Sequence, residues 1–582
     1  MPVTVLHPRR AAVRAPARVV YVRRVALVPG LAVLRDYDRA WWRSDVVAGA
    51  TVGAMLIPQS MAYAELAGLP PEVGFYAVIG PLVLYALVGT SRHLGVGPEP
   101  GTAILAATGV GVIAAGDPQR YLSLMAGLAL VVGAMAILGS LARLGFIASL
   151  LSKPVLVGYI TGVGLTLLTS QFAAFTGVPI EADRFFSRVA ELGASLSQVH
   201  LPTLAVGVGS LTLVLLLRRQ LPRFPGALVA VGLATLVVWL LPGAAPTVPL
   251  VGAVPQGLPA PALPALSLAD LSALLLVAGG VLIVGFTDNV LTARSIAARH
   301  GYRVDPNQEL FALGVTNLSA GLLQGFPVSS SASRTAVAAA LGSRTQVVSL
   351  VAAVLVVATL LFLGPVLALV PRAALAAVIV SAAIAIIDVP GYRALWKVSR
   401  SEALLAVVAA LGVIVVDILA GVLIAVALSV VVALGRTARP HDAVLGDHPA
   451  LDGWVEVDTH PDARVEPGLL VYRFDAPLFF LNSERFRSRV LDTLERNPGQ
   501  EDWLVLDFEG VGGLDATALD GLAELSQSLA DLGLTRIAVA RANAQVVSKL
   551  RRMQLLAPVG PLHNYPTING AVRDFRATRP AG

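Results

Sequence analysis

The chain of 582 residues contains no cysteine, so disulfide bonds, thiolate metal sites and thiol chemistry are excluded. Charge is also scarce, because only 14% of the residues are charged, whereas 56% are hydrophobic and the mean hydropathy is +0.75. A soluble globular protein has no need of this balance. The composition therefore predicts a polytopic α-helical membrane protein.

The sequence also lacks the motifs of several functional classes. It contains no P-loop, no Ser/His/Asp arrangement and no cluster of metal ligands, so neither an enzyme nor a pump driven by its own nucleotide hydrolysis is expected. No apolar N-terminal core precedes a cleavage site, so no cleaved signal peptide is expected. The net charge of +6 does not indicate a nucleic-acid partner, because the arginines cluster at the N-terminus and in short loops, where they report membrane topology.

Long apolar runs fill the first three quarters of the chain. About 14 segments up to residue 436 are apolar, and most are long enough to cross a bilayer core of about 30 Å. An even number of crossings puts both termini on one side, and the basic residues of alternate loops place that side in the cytoplasm. The predicted segments are 46–66, 73–89, 102–115, 122–142, 154–175, 202–218, 226–242, 271–293, 309–325, 331–342, 346–368, 373–388, 402–416 and 418–436.

Two of these segments, 102–115 and 331–342, are too short to span a bilayer, and each follows a polar stretch with proline, GPEPGT or FPVSSS. They lie about 229 residues apart, and the same offset carries Gln59 onto Asp288. Seven segments repeated once must be inverted, because each repeat has an odd number of crossings. Paired broken helices in an inverted repeat are typical of secondary transporters, whose substrate site lies where the half-helices meet. The alternative is a chance coincidence of two Gly/Pro interruptions.

The composition changes after residue 440, where charged residues become spaced as in a soluble domain. LLVYRF and WLVLDF are typical of strands, 536–542 is a further strand, and 482–495 and 517–532 are amphipathic helices. Alternating strands and helices predict a small α/β domain. The predicted order is a basic N-terminal segment, a membrane domain, a linker and this α/β domain, with the bounds 1–44, 45–437, 438–465 and 466–582.

Several long motifs resemble the SulP family of anion transporters. They are DVVAGATVGAMLIPQSMAYAELAGLPPEVGFYA (45–77), YALVGTSRHLGVGPEPGTA (85–103) and the segment 293–337, which contains PNQE and GFPVSSSASRT. The block 467–556, with FFLNSERFRSRV and GVGGLDATALDGL, is similar to a STAS domain. The resemblance implies seven plus seven segments in an inverted repeat with segments 3 and 10 as half-helices. It also implies a core module that moves against a gate module, and a homodimer in the cytoplasmic membrane.

Arg334 is the most informative side chain, because a charge at membrane depth costs several kcal/mol unless it is paired or faces a cavity. The polar run around it predicts a helix that starts inside the bilayer, and a helix N-terminus favours an anion. Arginine also suits planar oxyanions, because it can donate two parallel hydrogen bonds. The sequence therefore predicts an oxyanion site around Arg334. The alternative is that this side chain only braces neighbouring helices.

The other members of the predicted anion site are small or polar. Backbone amides and hydroxyls of the third and tenth segments are expected to converge, and two further residues line the pocket by resemblance. Small residues in membrane helices also serve close packing, which is the alternative for the individual serines. The predicted members from the motifs are Gly101, Thr102, Ser329, Ser330, Ser331 and Ser333, and those from the resemblance are Gln59 and Tyr63.

Asp288 and Thr292 lie four residues apart and therefore on one face of a helix. In some members of the resembling family, Asp and Thr at this spacing bind sodium, and a hard cation prefers oxygen ligands. A buried carboxylate can equally take a proton, because burial disfavours its charged form. The pair is therefore predicted to bind the coupling ion, Na⁺ or H⁺. A structural ion pair between Asp288 and Arg334 in the empty site is the alternative.

Two glutamates depart from the family's pattern. Glu99 lies beside the predicted anion site, where many relatives have an apolar residue. A carboxylate there repels an anion unless it is protonated, which predicts proton-coupled uptake through Glu99. The alternatives are a charge at the rim of the site or a partner of Arg92 or His93. Glu65 lies near the outer end of the first span, where simple solvation is as reasonable as a role.

In the STAS-like domain, the segment Asp515-Ala516-Thr517 follows a strand and a GG turn. It takes the position of the Asp-Ser-Ser motif of bacterial anti-sigma-antagonist relatives, which makes Thr517 a weak candidate for regulatory phosphorylation. Ala516 departs from that motif, and the alternative is that Thr517 caps a helix. No partner of this domain follows from the sequence.

Together these features predict a secondary transporter that moves an inorganic or small organic oxyanion by alternating access, coupled to H⁺ or Na⁺. Sulfate is the first candidate, followed by bicarbonate or a dicarboxylate. An uncoupled anion exchanger or anion channel on the same scaffold is the first alternative. A nucleobase transporter of the same inverted-repeat fold and a signalling scaffold with vestigial transport are the others.

Overall fold

The structure, a computed structural model, divides into two compact units, Met1–Ala427 and Leu428–Gly582. Most of the predicted basic segment, residues 1–27, lies outside the described residues. The residues that the structure describes are 28–149, 152–180, 182, 184–241, 247–416, 418–451, 453–496, 502–553 and 561–578.

Helices make up most of the first unit. Each of the fourteen apolar segments predicted from the sequence coincides with a helix to within a few residues, and the fifth and eleventh segments are each divided in two. The helices are α1 (Pro29–Arg35), α2 (Trp42–Leu66), α3 (Val73–Val88), α4 (Pro100–Ala114), α5 (Pro118–Leu141), α6 (Lys153–Ser170), α7 (Phe172–Thr176), α8 (Phe185–Ala194), α9 (Leu201–Gln220), α10 (Gly226–Leu240), α11 (Leu268–His300), α12 (Pro306–Leu322), α13 (Ala332–Ala340), α14 (Val347–Phe362), α15 (Gly364–Leu367), α16 (Arg372–Ile386), α17 (Val389–Val398), α18 (Arg400–Val415) and α19 (Ile418–Ala438).

Several helical stretches are long and apolar enough to cross a membrane, judged by length and composition, and others are apolar but shorter. A multi-pass membrane protein is therefore confirmed, whereas the count of fourteen crossings stays a prediction. The six long stretches in the described part of the chain are Arg39–Leu66, Pro118–Leu141, Lys153–Thr176, Leu201–Gln220, Leu268–His300 and Arg372–Val398.

The start of α12 shows how local sequence sets a helix boundary. Asp305 accepts hydrogen bonds from the backbone N–H groups of Asn307 (2.8 Å) and Gln308 (3.3 Å), which satisfies amides that have no partner inside the helix. The Asn307 side chain instead accepts a hydrogen bond from the Gly145 N–H at 2.7 Å. Asp305 therefore caps α12, and Asn307 ties its first turn to the loop that follows α5.

Contacts sort the helices of the first unit into two groups. The first group contains α2 to α5 and α11 to α14, and the second contains α6, α7, α9, α10 and α16 to α18. The groups meet where α2 packs against α10 and α16, and where α4 packs against α6 and α16. Within the first group, a Cβ on Gly133 of α5 would lie 2.8 Å from the carbonyl oxygen of Gly314 in α12, so only glycine permits this close helix crossing.

Two short strands lie at the centre of the first group. The strands β1 (Val96–Gly97) and β2 (Ser329–Ser330) pair antiparallel, with Val96 opposite Ser330 and Gly97 opposite Ser329. The strand β1 leads into α4, and β2 leads into α13. The two polar stretches that the sequence singled out, some 230 residues apart, are therefore hydrogen-bonded neighbours.

The second unit contains a six-stranded sheet with helices. The strand order is β4-β3-β5-β6-β7-β8, in which β5 to β8 are parallel and β3 is antiparallel to both of its neighbours. The predicted α/β domain is confirmed. Its elements are β3 (Asp442–His448), β4 (Gly453–Glu456), β5 (Leu469–Phe474), α20 (Ser483–Glu495), β6 (Trp503–Asp507), α21 (Ala516–Asp531), β7 (Arg536–Ala540), α22 (Ala544–Met553), β8 (His563–Tyr565) and α23 (Ile568–Thr578).

The segment 438–465 differs from its prediction as a linker, because β3 and β4 both lie within it. The side chains of β3 alternate only weakly between buried and half-buried, and Asp442 and His448 stand at its ends. A short strand with polar ends gives a weak periodic signal, so the sequence alone indicated a linker. The pairing of β3 with β5 supplies the order that the local pattern does not.

Candidate functional site

The candidate site lies where β1 and β2 lead into α4 and α13. Ser331 is the N-cap of α13: its side chain accepts a weak hydrogen bond from the Arg334 N–H at 3.5 Å, and its own N–H donates to the Gly95 carbonyl oxygen at 2.9 Å. Gly97 has φ +154°, and a Cβ on it would lie 2.9 Å from the Val78 side chain and 3.3 Å from Arg334 Nη2. Glycine at this position therefore lets β1 pass close to the guanidinium group.

Arg334 is buried, with only 1% of the residue exposed. Its Nη1 donates to Gln59 Oε1 at 3.2 Å and to the Pro98 carbonyl oxygen at 3.1 Å, and Nη2 donates to the same carbonyl oxygen at 3.1 Å. The Nε–H has no hydrogen-bond partner in the described part of the chain. Among the described residues, Arg334 forms no ion pair, so the alternative of a structural pair with Asp288 is not observed. A buried cation whose partners are all neutral is left with capacity for an anion.

The serines of β2 and α13 divide into two sets. Ser329 and Ser330 are fully buried, and the Ser330 hydroxyl donates to Asp288 Oδ2 at 3.1 Å. The Ser331 and Ser333 hydroxyls share a hydrogen bond at 3.1 Å, and Ser333 is exposed. The structure therefore brings Ser330 together with the predicted coupling residue, and Ser331 together with Arg334.

The N-terminus of α4 differs from its prediction as a free anion site. Glu99 is its N-cap, and the carboxylate accepts a hydrogen bond from the Thr102 N–H at 3.1 Å. A Cβ on Gly101 would lie 3.0 Å from Glu99 Oε2, so the carboxylate also covers that residue. The Thr102 amide therefore already has an anionic partner. Sequence reasoning placed Glu99 beside the site but missed that its side chain folds back onto its own helix.

The alternative pairing of Glu99 with Arg92 or His93 is not observed. His93 Nδ1 shares a hydrogen bond with the Tyr302 hydroxyl at 3.1 Å, and Nε2 lies 3.0 Å from the Ser343 carbonyl oxygen. The Arg92 guanidinium lies 5.6 Å from the centre of the Tyr302 ring. Both basic side chains are therefore engaged at the loop before β1.

Asp288 lies one turn before Thr292 on α11, as the sequence predicts. Both residues are half-buried, and Asp288 accepts its hydrogen bond from Ser330. The described hydrogen bonds do not join Thr292 to Asp288 or to any other member of the predicted site. The structure thus ties Asp288 to the anion site through β2, and places Thr292 on the same helix without a direct link.

Two further groups belong to this region that the sequence did not indicate. The first is the Pro98 carbonyl oxygen, which accepts two hydrogen bonds from Arg334. The second is Tyr159 of α6, which is buried and interacts electrostatically with Glu99 and Asp288. Tyr63 of α2, which was predicted from the resemblance, is also buried and interacts with Arg334 and Glu99. A single tyrosine in an apolar helix forms no recognisable motif, so Tyr159 could not be assigned to the site from the sequence.

A second buried charge supports the site from α12. Glu309 is fully buried, and its carboxylate accepts hydrogen bonds from the Tyr85 hydroxyl (2.8 Å), the Thr90 N–H (2.9 Å) and hydroxyl, the Ser91 N–H (3.2 Å) and the Asn289 amide (3.2 Å). These donors belong to α3, the loop before β1 and α11. Glu309 of the PNQE motif therefore has a structural role, because it fixes the chain that enters the site.

The remaining predicted residues lie elsewhere. Glu65 is not simply solvated, because its carboxylate lies 3.6 Å from Arg372 Nε, and this ion pair joins α2 to α16. Thr517 is exposed in the first turn of α21, in the second unit. It does not cap that helix, because Asp515 does so by accepting from the Ala518 N–H at 2.8 Å.

The second unit also contains one group that could hold a metal ion, which motif spacing did not reveal. His441, Glu456 and Asp475 present ligand atoms within 4.8 Å of one another. His441 is exposed, and its Nδ1 already lies 3.2 Å from Asp475 Oδ2. Ion pairing of the histidine with its two acidic neighbours explains this arrangement without a metal.

Two family models match the chain. The model described as the sulfate permease family matches residues 42–409, and the model described as the STAS domain matches residues 460–571. The first match covers more than half of the chain and includes every residue of the candidate site. The second match covers most of the sheet of the second unit but leaves out β3 and β4.

Individual relatives give the same result over nearly the full length. A probable sulfate transporter of Mycobacterium tuberculosis (strain ATCC 25618 / H37Rv) is 46% identical over 548 residues, which are 94% of this chain and 98% of the relative. Sulfate transporter 4.1, chloroplastic, of Arabidopsis thaliana is 29% identical over 566 residues, which are 94% of this chain and 82% of the relative.

Solved structures share the fold. The murine Solute Carrier 26 family member A9 anion transporter in the inward-facing state has a TM-score of 0.87 at 24% identity, over 98% of this chain and 100% of that chain. The transmembrane domain of a cyanobacterium bicarbonate transporter, BicA, has a TM-score of 0.59 at 23% identity, over 66% of this chain and 98% of that chain. At these identities the similarity concerns the fold alone.

Proposed function

We propose a function from one established premise: the chain belongs to the sulfate permease family and carries a C-terminal STAS domain, so it is a transport protein and not an enzyme. The proposed function is secondary transport of a small oxyanion across the cytoplasmic membrane. Sulfate is the first candidate substrate, because the relative that is 46% identical is named a probable sulfate transporter. Bicarbonate and dicarboxylates are the next candidates.

The observation that carries this proposal is the state of Arg334. A fully buried guanidinium with only neutral partners and an unpartnered Nε–H lies at the junction of two short helices. An anion that enters would receive charge-assisted hydrogen bonds from Arg334, with Gln59, Tyr63 and the Ser331 hydroxyl around it. Burial strengthens such contacts, because little water competes for them. The oxyanion is therefore proposed to bind at Arg334.

Alternating access is proposed to arise from the two helix groups. The antiparallel pairing of β1 and β2 supports an inverted repeat of seven plus seven segments, in which α4 and α13 are the half-helices. The first group holds Arg334 and Asp288 and corresponds to a core module, while the second corresponds to a gate module. Contacts between α2 and α16 and between α4 and α6 mark the boundary along which the groups would move.

Coupling is proposed to act through the carboxylates beside Arg334. Asp288 shares a hydrogen bond with Ser330, and Glu99 occupies the Thr102 amide at the start of α4. Protonation of either group would remove a negative charge that repels the substrate. Proton coupling is therefore favoured over Na⁺ coupling, which would need Thr292 as a ligand beside Asp288, and the described contacts do not join these two residues.

Topology and assembly follow the same proposal. Both termini are proposed to lie in the cytoplasm, because basic residues occupy alternate loops of the sequence. A homodimer is the expected assembly from the family resemblance. Thr517 is exposed near the start of a helix, where a phosphate group would be favoured, so phosphorylation there is the proposed point of regulation of the STAS domain.

Uptake by the purified full chain in proteoliposomes tests the function. Radiolabelled sulfate, bicarbonate, fumarate and uracil would be offered separately, with an imposed pH or Na⁺ gradient. We expect accumulation of one oxyanion against its gradient and no uptake of uracil. Arg334→Ala should weaken the apparent affinity about 10- to 100-fold, the effect of losing a charge-assisted hydrogen bond. Arg120→Ala is the matched control, because Arg120 forms a partly exposed ion pair with Asp270.

Other outcomes separate the alternatives. Equilibration without accumulation that persists in Asp288→Asn indicates an uncoupled exchanger, and a steady anion current in planar bilayers indicates a channel. Equal uptake by the wild type and by Arg334→Ala would remove Arg334 from the site. Uptake of uracil in place of any oxyanion would replace the proposed substrate class.

A further inference from the structure

Tyr159 is a buried side chain with an unused hydrogen-bond donor. It lies on α6, in the second helix group, and is 2% exposed. None of the residues that the structure describes forms a hydrogen bond with its hydroxyl. Buried polar atoms nearly always have a partner, and a hydroxyl left without one costs free energy. A ligand that supplies a hydrogen-bond acceptor to the Tyr159 hydroxyl would therefore remove this cost.

The surroundings of Tyr159 indicate what that partner is. The phenol interacts electrostatically with Glu99 and with Asp288, the two carboxylates of the candidate site, and α6 packs against α4, the helix that Glu99 caps. A second buried donor of this site, the Nε–H of Arg334, is also unpartnered. Two unpartnered donors, one from each helix group, thus both interact electrostatically with Glu99.

We propose that Tyr159 is a substrate-binding residue whose hydroxyl donates a hydrogen bond to the oxyanion held by Arg334. The inference rests on the proposed function and adds a contact from the second helix group. The anion would then join the two groups, since Arg334 belongs to the first. An acceptor with several ionised oxygens, such as sulfate, can serve both donors at once, which a single lone pair could not do.

Two carboxylates interact electrostatically with Tyr159, Glu99 at the start of α4 and Asp288 on α11. Arg334 on α13 and Tyr63 on α2 interact in turn with Glu99. The Glu99 carboxylate accepts from the Thr102 N–H and the Asp288 carboxylate from the Ser330 hydroxyl, and the described hydrogen bonds join neither carboxylate to the phenol. The test must therefore remove the Tyr159 hydroxyl alone and leave these charges in place.

The experiment compares Tyr159→Phe with the wild type in the purified full chain. Thermal unfolding is followed without anion and with increasing sulfate, and sulfate affinity is taken from the stabilisation. We expect Tyr159→Phe to unfold at the same temperature as the wild type or a higher one without anion, because it removes an unpartnered hydroxyl. Its affinity for sulfate should fall roughly 3- to 10-fold, the effect of one neutral hydrogen bond.

Tyr121→Phe is the matched control. The Tyr121 hydroxyl already donates to the Ala67 carbonyl oxygen, and its removal breaks an existing hydrogen bond away from the site. This variant should unfold at a lower temperature and bind sulfate like the wild type. If the assignment is correct, Tyr159→Phe therefore lowers the affinity for sulfate without lowering stability, whereas Tyr121→Phe lowers stability without changing the affinity.

The results that overturn the assignment are distinct from those that overturn the proposed function. If the wild type responds to sulfate and Tyr159→Phe responds equally, Tyr159 does not touch the substrate. A lower unfolding temperature of anion-free Tyr159→Phe with unchanged affinity assigns the residue to packing alone. If sulfate, bicarbonate and fumarate all fail to stabilise the wild type, the proposed function falls, and the assignment of Tyr159 falls with it.

Discussion

The two units each bury a charged side chain, and they treat it in opposite ways. Arg334 in the first unit is 1% exposed and has only the neutral partners Gln59 and Pro98. Asp507 in the second unit is fully buried and lies between Arg473, at 2.9 Å, and Arg541, whose Nε is also 2.9 Å away. Among the described residues, Arg334 forms no ion pair, whereas Asp507 lies between two arginines.

The difference separates a binding site from a structural centre. Asp507 ends β6 and holds Arg473 of β5 and Arg541 after β7, so its ion pairs join three neighbouring strands. Hydrogen bonding to Asp507 raises the pKa of Arg541 above its usual value. Arg334 forms no ion pair among the described residues and keeps an unpartnered Nε–H donor, which is available to a ligand from outside the chain. In the described structure, a buried charge is therefore structural where internal partners satisfy all its polar atoms, and indicates a binding site where a polar atom stays unpartnered, as the Arg334 Nε–H does.

The largest expected effect is on the stability of the second unit. Asp507→Asn leaves Arg473 without its counterion and Arg541 with only the exposed Glu509, and removing one partner of a buried pair costs about 3–5 kcal/mol. Amide hydrogen exchange in the full chain should show faster exchange of β5, β6 and β7. Glu509→Gln is the matched control, because Glu509 also pairs with Arg541 but its side chain is 61% exposed. If Glu509→Gln destabilised the sheet as much as Asp507→Asn, burial of Asp507 would not be the reason for its effect.

Removing the charge of Arg334 is expected to have the opposite effect on the free energy of unfolding. Arg334→Gln removes the uncompensated charge and retains an amide that can bond the Pro98 carbonyl oxygen, so the anion-free protein should gain about 1–2 kcal/mol or stay unchanged. Thermal unfolding of the purified protein in an anion-poor buffer measures this. Arg120→Gln, at a partly exposed ion pair, serves as the reference. Marked destabilisation of Arg334→Gln would show that its neutral contacts are structural, like those of Asp507.

The smallest effect concerns the acidic neighbour of Arg334. Glu99 interacts electrostatically with Arg334, and its carboxylate holds the Thr102 amide. Substrate binding competes with this negative charge, so sulfate should bind more tightly as the pH falls and Glu99 takes a proton. Glu99→Gln stays neutral and can still accept from Thr102, so its affinity should be roughly 3- to 10-fold higher at neutral pH.

The pH dependence of sulfate binding between about pH 5.5 and 8 checks the role of Glu99. This range includes pH values at which a buried carboxyl group takes up a proton. Glu99→Asp is the matched variant, because it keeps both the charge and the ability to cap the helix. Glu99→Asp should retain the pH dependence of sulfate binding. Glu99→Gln should lose it, except for the part that is due to Asp288. An identical pH dependence in the wild type and in Glu99→Gln would exclude Glu99 from proton coupling.

Most of the fold could be predicted from the sequence, since each apolar segment is a local signal of its own. The fourteen segments coincide with helices, and the two short ones begin where GPEPGT and FPVSSS end. The strands LLVYRF and WLVLDF were also predicted, because buried parallel strands are continuous apolar runs. The strands β3 and β4 were missed because short strands with polar ends are recognised only by their pairing with β5.

The candidate site was predicted in outline and wrong in one important detail. Arg334 and Gln59 are in contact, and the serines of β2 lie beside them at the start of α13. This arrangement was predictable because the motifs carried both a polar signal and a family resemblance. The Thr102 amide was expected to face the substrate, but it is occupied by Glu99. Side-chain direction at a helix end depends on the rotamer and on neighbouring helices, neither of which sequence spacing reports.

By itself, the sequence determined the membrane class, the family, the helix pattern and the presence of one arginine at membrane depth, because periodicity and motifs are local properties. Only the tertiary structure decided which polar groups have partners. Arg334 meets Gln59 and Pro98 from 275 and 236 positions away along the chain, while Tyr159 and the Arg334 Nε–H are left without a partner. Buried hydrogen bonding depends on which distant segments pack together, and the unpaired donors that indicate a ligand become visible only after that packing is known.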